Sequence, residues 1–421
     1  MWFSLFDQRG FKKWRDLYTC VRAFLCEYFG YGMHNLIQSA VLRHFANIAL
    51  LLASLFLAVI FAEIVLRGLG YSKIYDIYSK QSMFWEYDPL LGWRHQKNAD
   101  GVFRGPKPFP IEFDTRIKTN SLGLRGEEIS PLPQDGYRIL FLGDSQVAAF
   151  EVEQEDTFVH LLQKKLINEL NRPVQVINAG VRGYGTDQSY LYYTSDGRNL
   201  KPHLVVFMHT ANDLMNNTTL HRMKRPFGKS AIRFTEDEER EVINVPVPQY
   251  DLCSAYSINH QYVIERTDTA ANRLLCYLNF MLVDRSVLLS FVLTTINKSA
   301  LGSKERLAWL ERFTKPSQRK LLGNARTHDF RGRQTALIIR AMSEAVEADQ
   351  TGFLAISKSS MLEQIDESLL VDVDIFELDI RNEGATWRND AHYNEYGHEL
   401  VANEIWQLIA SKLRDLDGRE Q

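Results

Sequence analysis

Hydrophobic positions along this chain follow three rhythms, and each predicts different elements. The first is unbroken. Residues 45–62 contain no charge, and Ile48–Phe61 is dense in Leu, Ile and Phe. A bilayer core needs about 20 apolar residues, so Phe45–Leu66 is predicted to be a transmembrane helix despite Glu63 near one end. A cleaved secretory leader would begin close to Met1, carry a shorter apolar run and end at a small-x-small site. None of these holds, so an uncleaved anchor is expected.

The second rhythm alternates short apolar runs with helical spacing. Arg138–Leu142, Val174–Asn178, Leu204–Met208, Phe353–Ile356 and Val373–Leu378 read as strands. Thr157–Asn171, a segment from about Asp187, Gln334–Ala348 and Glu395–Leu413 read as helices. In Thr157–Asn171, Phe158, Leu161, Leu162, Leu166 and Leu170 share one face. Strands alternating with helices imply a parallel sheet covered on both sides, an α/β fold of three layers, α/β/α, with a parallel five-stranded sheet. The third rhythm is irregular. Residues 67–134 read as an extended lead-in, with turns at Asp88–Trp93 and Thr119–Gly123 and strand-like alternation over Ile111–Lys118. Residues 220–330 break the βα pattern with Pro246, Pro248 and the charged run Glu236–Arg240, and read as an insertion, either a lid or a peripheral packing segment.

Flanking charge orients the span. Arg9, Lys12, Lys13, Arg15, Arg22 and Arg43 precede it, against Arg67, Lys73 and Lys80 after it. The bias puts residues 1–44 in the cytoplasm and everything after about residue 67 outside it, in the periplasm if the source is a Gram-negative bacterium. Trp14, Leu17, Tyr18, Val21, Leu25 and Tyr28 recur at helical spacing; an interfacial helix on the cytoplasmic leaflet, a helix on a partner and an unstructured tail all fit. The expected organisation is therefore 1–44 cytoplasmic, 45–66 membrane, 67–134 lead-in, and 135–421 a catalytic domain holding the insertion.

With 49 basic and 52 acidic residues, charge gives no sign of a nucleic-acid partner. Four cysteines, Cys20, Cys26, Cys253 and Cys276, exclude a disulfide-rich scaffold and show no zinc spacing. A Cys253–Cys276 bridge is open if that region is extracytoplasmic.

Candidate chemistry sits at the ends of the predicted strands, where ligands bind in open α/β sheets. Gly143-Asp144-Ser145 follows the first, Asn178-Ala179-Gly180 the second and Asn212-Asp213 the third, while Asp390-Ala391-His392 lies near the C-terminus. A serine hydroxyl becomes a nucleophile only when a base takes its proton. His392 is the candidate base, and Asp390 can hold its tautomer and stabilise the imidazolium. Asp144 and Asp213 read as structural hydrogen-bonders. His398 is a rival base, but it falls inside the helix beginning near Glu395. The glycines Gly180, Gly183 and Gly185 lack dinucleotide-loop spacing, and neither His-Glu-x-x-His nor Gly-x-Ser-x-Gly occurs. No cofactor or metal is expected.

These four blocks, in this order, resemble the SGNH (GDSL-like) hydrolase superfamily over residues 137–219 and 334–413. Thr119-Asn-Ser-Leu-Gly-Leu-Arg125 and Asn178–Gly185 are similar to a membrane-anchored branch of it. The resemblance implies an SGNH/flavodoxin-like sheet, Ser145 as nucleophile, and an oxyanion hole of Ser145, Gly180 and Asn212. One departure stands. The usual Asp-x-x-His would place Asp at 389, where this chain has Asn389; Asp390-Ala-His392 instead resembles the pairing of the alginate O-acetyltransferase branch. The expected activity is that of a membrane-anchored serine esterase, acting through an acyl-serine on a carboxylic ester, with a cell-envelope glycan or glycolipid as substrate. An O-acyltransferase to a polysaccharide and a non-catalytic glycan-binding module are the alternatives. Tyr250, Tyr256, Tyr262 and Tyr277 could stack on sugars or belong to a core.

Overall fold

The computed structural model describes residues 40–71, 84–106, 111–301, 321–380 and 383–419. The amphipathic pattern of Trp14–Tyr28 lies outside them. The chain divides into two compact units, Met1–Leu66 and Arg67–Gln421. In the first, helix α1 (Ala40–Gly68) contains an apolar stretch, His44–Gly68, with mean hydropathy 2.7 and no buried part. By length and composition it can cross a membrane.

The second unit is built on a five-stranded sheet: β1 (Tyr137–Leu142), β2 (Val174–Asn178), β3 (Leu204–Met208), β4 (Gly352–Ser357) and β5 (Ile375–Glu377). All pairs are parallel and the spatial order is 2-1-3-4-5. The strands read as continuous apolar runs because both faces are covered. Leu140, Leu142, Val205 and Phe207 point to one face, against α4 (Thr186–Ser195) and α8 (Leu321–Ala348). Ile139, Phe141, Val206 and Met208 point to the other, against α3 (Phe158–Leu170) and α9 (Glu395–Arg419). The two-residue side-chain period of a strand produces this division. The final strand is shorter than the Val373–Leu378 run, and α8 begins 13 residues before Gln334.

The lead-in is more than an extended approach. Trp85–Asp88 pairs with Gly92–His95, and Asp100–Gly105 pairs with Phe113–Lys118. The Asp88 carboxylate accepts the amides of Leu90 and Leu91, which explains the turn there. The hairpins pack onto the loops after β1 and β2: Trp93 Nε1 donates to Arg182 O, and Tyr184 Oη donates to Trp93 O. The insertion holds short antiparallel pairs, α6 (Ala270–Leu278) and α7 (Val287–Leu301), with Cys253 and Cys276 joined in a disulfide. Leu220, Ala231, Ile243 and Ile258 form its own small core with Phe330.

Candidate active site

The strand order reverses between β1 and β3, which opens a crevice at their carboxyl ends. Ser145 opens a one-turn helix, α2 (Ser145–Ala148), right after β1. Gly143 makes the approach: with φ +154°, a Cβ there would lie 2.6 Å from Val147 and 3.2 Å from Met208 O. Asp144, buried, caps α2 by accepting the Gln146 amide (2.9 Å) and accepts the Thr210 hydroxyl (2.9 Å). Asp213 accepts the Thr210 amide (2.8 Å), and burial followed by the Asp144 charge raises its pKa well above the usual carboxylate range. Asp144 ties the β1 loop to the β3 loop, and Asp213 closes the β3 loop on itself.

His392 Nε2 lies 2.8 Å from Ser145 Oγ. On the opposite side of the ring, Nδ1 meets Asp390 Oδ1 in a short contact and Glu151 Oε1 at 3.3 Å. Two carboxylates at Nδ1 select the tautomer with its proton there, leaving the Nε2 lone pair for the serine. Burial lowers the His392 pKa, but the Glu151 charge and the Asp390 hydrogen bond outweigh it, so the net shift is upward. Burial works against the Asp390 carboxylate, yet the hydrogen bond and charge of His392 bring its pKa down. Asp390 also accepts the His392 amide (3.0 Å), which fixes the short Asp-x-His loop.

Asn389 points elsewhere: its side chain and amide both donate to Glu112. His398 is buried in α9, accepts the Phe158 amide (3.3 Å) and stacks on that ring. Burial, then the charge of Arg125, lowers its pKa to about 3. It is a neutral core residue.

Asn212 and Ser145 face a cavity of about 450 Å³, whose apolar wall includes Met208, Ile356, Met361 and Leu378. Lys358 also lines it, with its ammonium 5.1 Å over the Tyr393 ring. The Asn212 carboxamide lies 2.7 Å from the Thr210 hydroxyl, whose single proton it shares with Asp144. Gly180 departs from the expectation: its N–H donates to Asn178 Oδ1 (3.0 Å), and the residue does not line the cavity. It is required for another reason, since a Cβ there would sit 2.5 Å from Ala148 N. Among the described residues, none from 220–330 lines this cavity. Tyr250 and Tyr256 stack on each other, Tyr262 packs on Phe330, and Tyr277 bonds Asp251.

Sequence reasoning missed Glu151 and Arg182. Glu151 is 1% exposed and paired with Arg182 at 2.6 Å, while its Oε2 has no partner. No motif spacing marks it, because it reaches His392 only through the turn after α2. Arg182 stood in the Asn178–Gly185 string without a role. Glu151, Asp390 and His392 place ligand-type atoms within 4.8 Å of one another. In this arrangement Glu151 pairs with Arg182, and His392 contacts Ser145.

Residues 141–278 match the family model described as the GDSL-like lipase/acylhydrolase family. That stretch holds the Ser145 and Asn212 blocks, and the match supports a hydrolase of carboxylic esters. The match ends before β4, so the fold supplies the C-terminal part, His392 included. Among solved structures, TesA is 11% identical, with 64% of this chain and 96% of that one covered at a TM-score of 0.33. The acetyl xylan esterase AlAXEase is 12% identical, with 65% and 99% covered and a TM-score of 0.33. A catalytic mutant of Axe2, an acetylxylan esterase from Geobacillus stearothermophilus, is 12% identical, with 66% and 95% covered and a TM-score of 0.31. No curated protein matches the sequence.

Proposed function

We propose that the protein is a membrane-anchored serine esterase that removes O-acyl groups from a cell-envelope glycan or glycolipid. The observation that carries the reading is the 2.8 Å contact between Ser145 Oγ and His392 Nε2, with a carboxylate on the far side of the ring. Ser145 attacks the ester carbonyl as His392 takes its proton. The Ser145 amide and the Asn212 carboxamide face the developing oxyanion, and such a donor contributes about 3–4 kcal/mol. Gly180 joins them only if Asn178 releases its amide. The imidazolium then protonates the leaving alcohol, and water activated by His392 frees the acid. The α1 stretch supports an anchor, and the Cys253–Cys276 bridge supports an oxidising compartment for the second unit.

Ser145→Ala should abolish hydrolysis of short acyl esters, and a fluorophosphonate should label Ser145 alone. Labelling that persists in the variant would assign the nucleophile elsewhere. Release of free acetate from acetylated envelope glycan, lost in Ser145→Ala, tests the substrate.

A further inference from the structure

The insertion carries an apolar face that the described residues leave uncovered. Leu274, Leu278, Met281, Leu282, Leu289 and Val292 all project from α6, the turn after it and α7. Met281 is 61% exposed and Leu282 58%. Contiguous apolar side chains of this size on a folded unit mark an interaction surface. The disulfide turns Cys276 inward to Cys253, so α6 is pinned with these leucines outward.

The chemistry of the segment selects a lipid surface. Between Thr269 and Val283 there is no acidic residue, and the following Asp284 is buried against Lys224 at 2.7 Å. Arg285 is exposed and lies 5.2 Å over the Phe280 ring, a cation and an aromatic placed as at a headgroup boundary. The chain's path adds an independent argument. Arg67, in the last turn of the apolar stretch His44–Gly68 and the first residue of this unit, donates its guanidinium to Arg285 O at 3.4 Å. Four residues on, Tyr71 meets Phe291 of α7 edge-on, with centroids 5.4 Å apart.

We propose that the α6–α7 face docks into the headgroup–acyl boundary of a bilayer carrying anionic lipid. The proposal rests on the reading of α1 as a membrane anchor. The insertion is then a second membrane contact. It would hold the catalytic unit against the membrane surface, where envelope glycans and glycolipids are presented.

The test uses the full-length protein in vesicles of phosphatidylcholine and phosphatidylglycerol containing a phospholipid with a photoactivatable diazirine in its acyl chain. Peptide mapping after illumination should find lipid on two segments, 45–66 and 274–293. Leu278→Glu/Met281→Glu/Leu282→Glu should lose the label on 274–293, keep it on 45–66, and still hydrolyse a soluble short ester. If the triple variant does not fold, Met281→Lys alone should weaken the second label. A labelled 45–66 with a bare 274–293 overturns the docking while leaving the anchor intact. Cross-links between copies through 274–293 in place of lipid would overturn it in favour of self-association. Absence of label from both segments would reject the anchor and this proposal together.

Discussion

Two carboxylates at one imidazole nitrogen set the behaviour of His392. In a triad with a single aspartate, replacing it by asparagine lowers kcat by about 10⁴. Here Glu151 still faces Nδ1 after Asp390→Asn, so we expect a smaller loss, about 10²–10³-fold, read from kcat on a short ester. The double variant Asp390→Asn/Glu151→Gln should fall by more than the product of the two single effects. Glu151→Gln has its own signature. The Glu151 charge helps raise the His392 pKa, and the base works only when neutral. Removing the charge should move the acidic limb of the kcat/KM profile to lower pH. An unchanged limb would leave Glu151 a purely structural partner of Arg182.

At the scale of elements, the lead-in braces the turn that carries Ser145. Arg125 is buried and donates to the carbonyls of Ala148, Ala149 and Val152, at and beyond the carboxyl end of α2. A cation there completes carbonyls that a one-turn helix cannot satisfy. Burial lowers the Arg125 pKa to about 10, with Glu151 and Glu153 opposing, so it stays charged at neutral pH. Arg125→Met should strand those carbonyls at about 1–3 kcal/mol for each group left unsatisfied. Thermal unfolding and kcat should fall together, because Ser145 rides on the same turn. A variant that loses stability but keeps full kcat would show that Arg125 does not position the serine.

For the whole molecule, buried histidines set the acid limit of stability. Burial lowers the pKa of His95, His209 and His398 to about 3, 4 and 3, with Arg182 and Arg125 adding for His95 and Arg125 for His398. Each binds its proton in the unfolded chain near pH 6.5 but not in the folded one. Stability is therefore full above about 6.5 and declines as pH falls toward the folded values, by up to about 1.4 kcal/mol per pH unit for each group. Melting temperatures between pH 7.5 and 4.5 should drop accordingly, and His398→Phe should flatten part of the slope. A melting temperature that holds level down to pH 4.5 would contradict the burial of these neutral rings.

What the sequence determined by itself follows from local physics. Strand and helix periods, the uncharged length of 45–62 and the Gly-Asp-Ser, Asn-Asp and Asp-x-His blocks depend on neighbouring residues, so the parallel sheet could be read from them, and Ser145, Asn212, Asp390 and His392 named as candidates. The tertiary structure decided what depends on long closures of the chain. It joined residues 145 and 392, separated Asn389 from the imidazole by giving it to Glu112, buried His398, and brought Glu151 to Nδ1 through a turn that no spacing rule describes. It committed the Gly180 amide to Asn178, a contact set by the exit of β2. It also left the leucines of α6 facing outward: amphipathic spacing reports that a helix has an apolar face, but only the packed fold reports which faces remain without a partner.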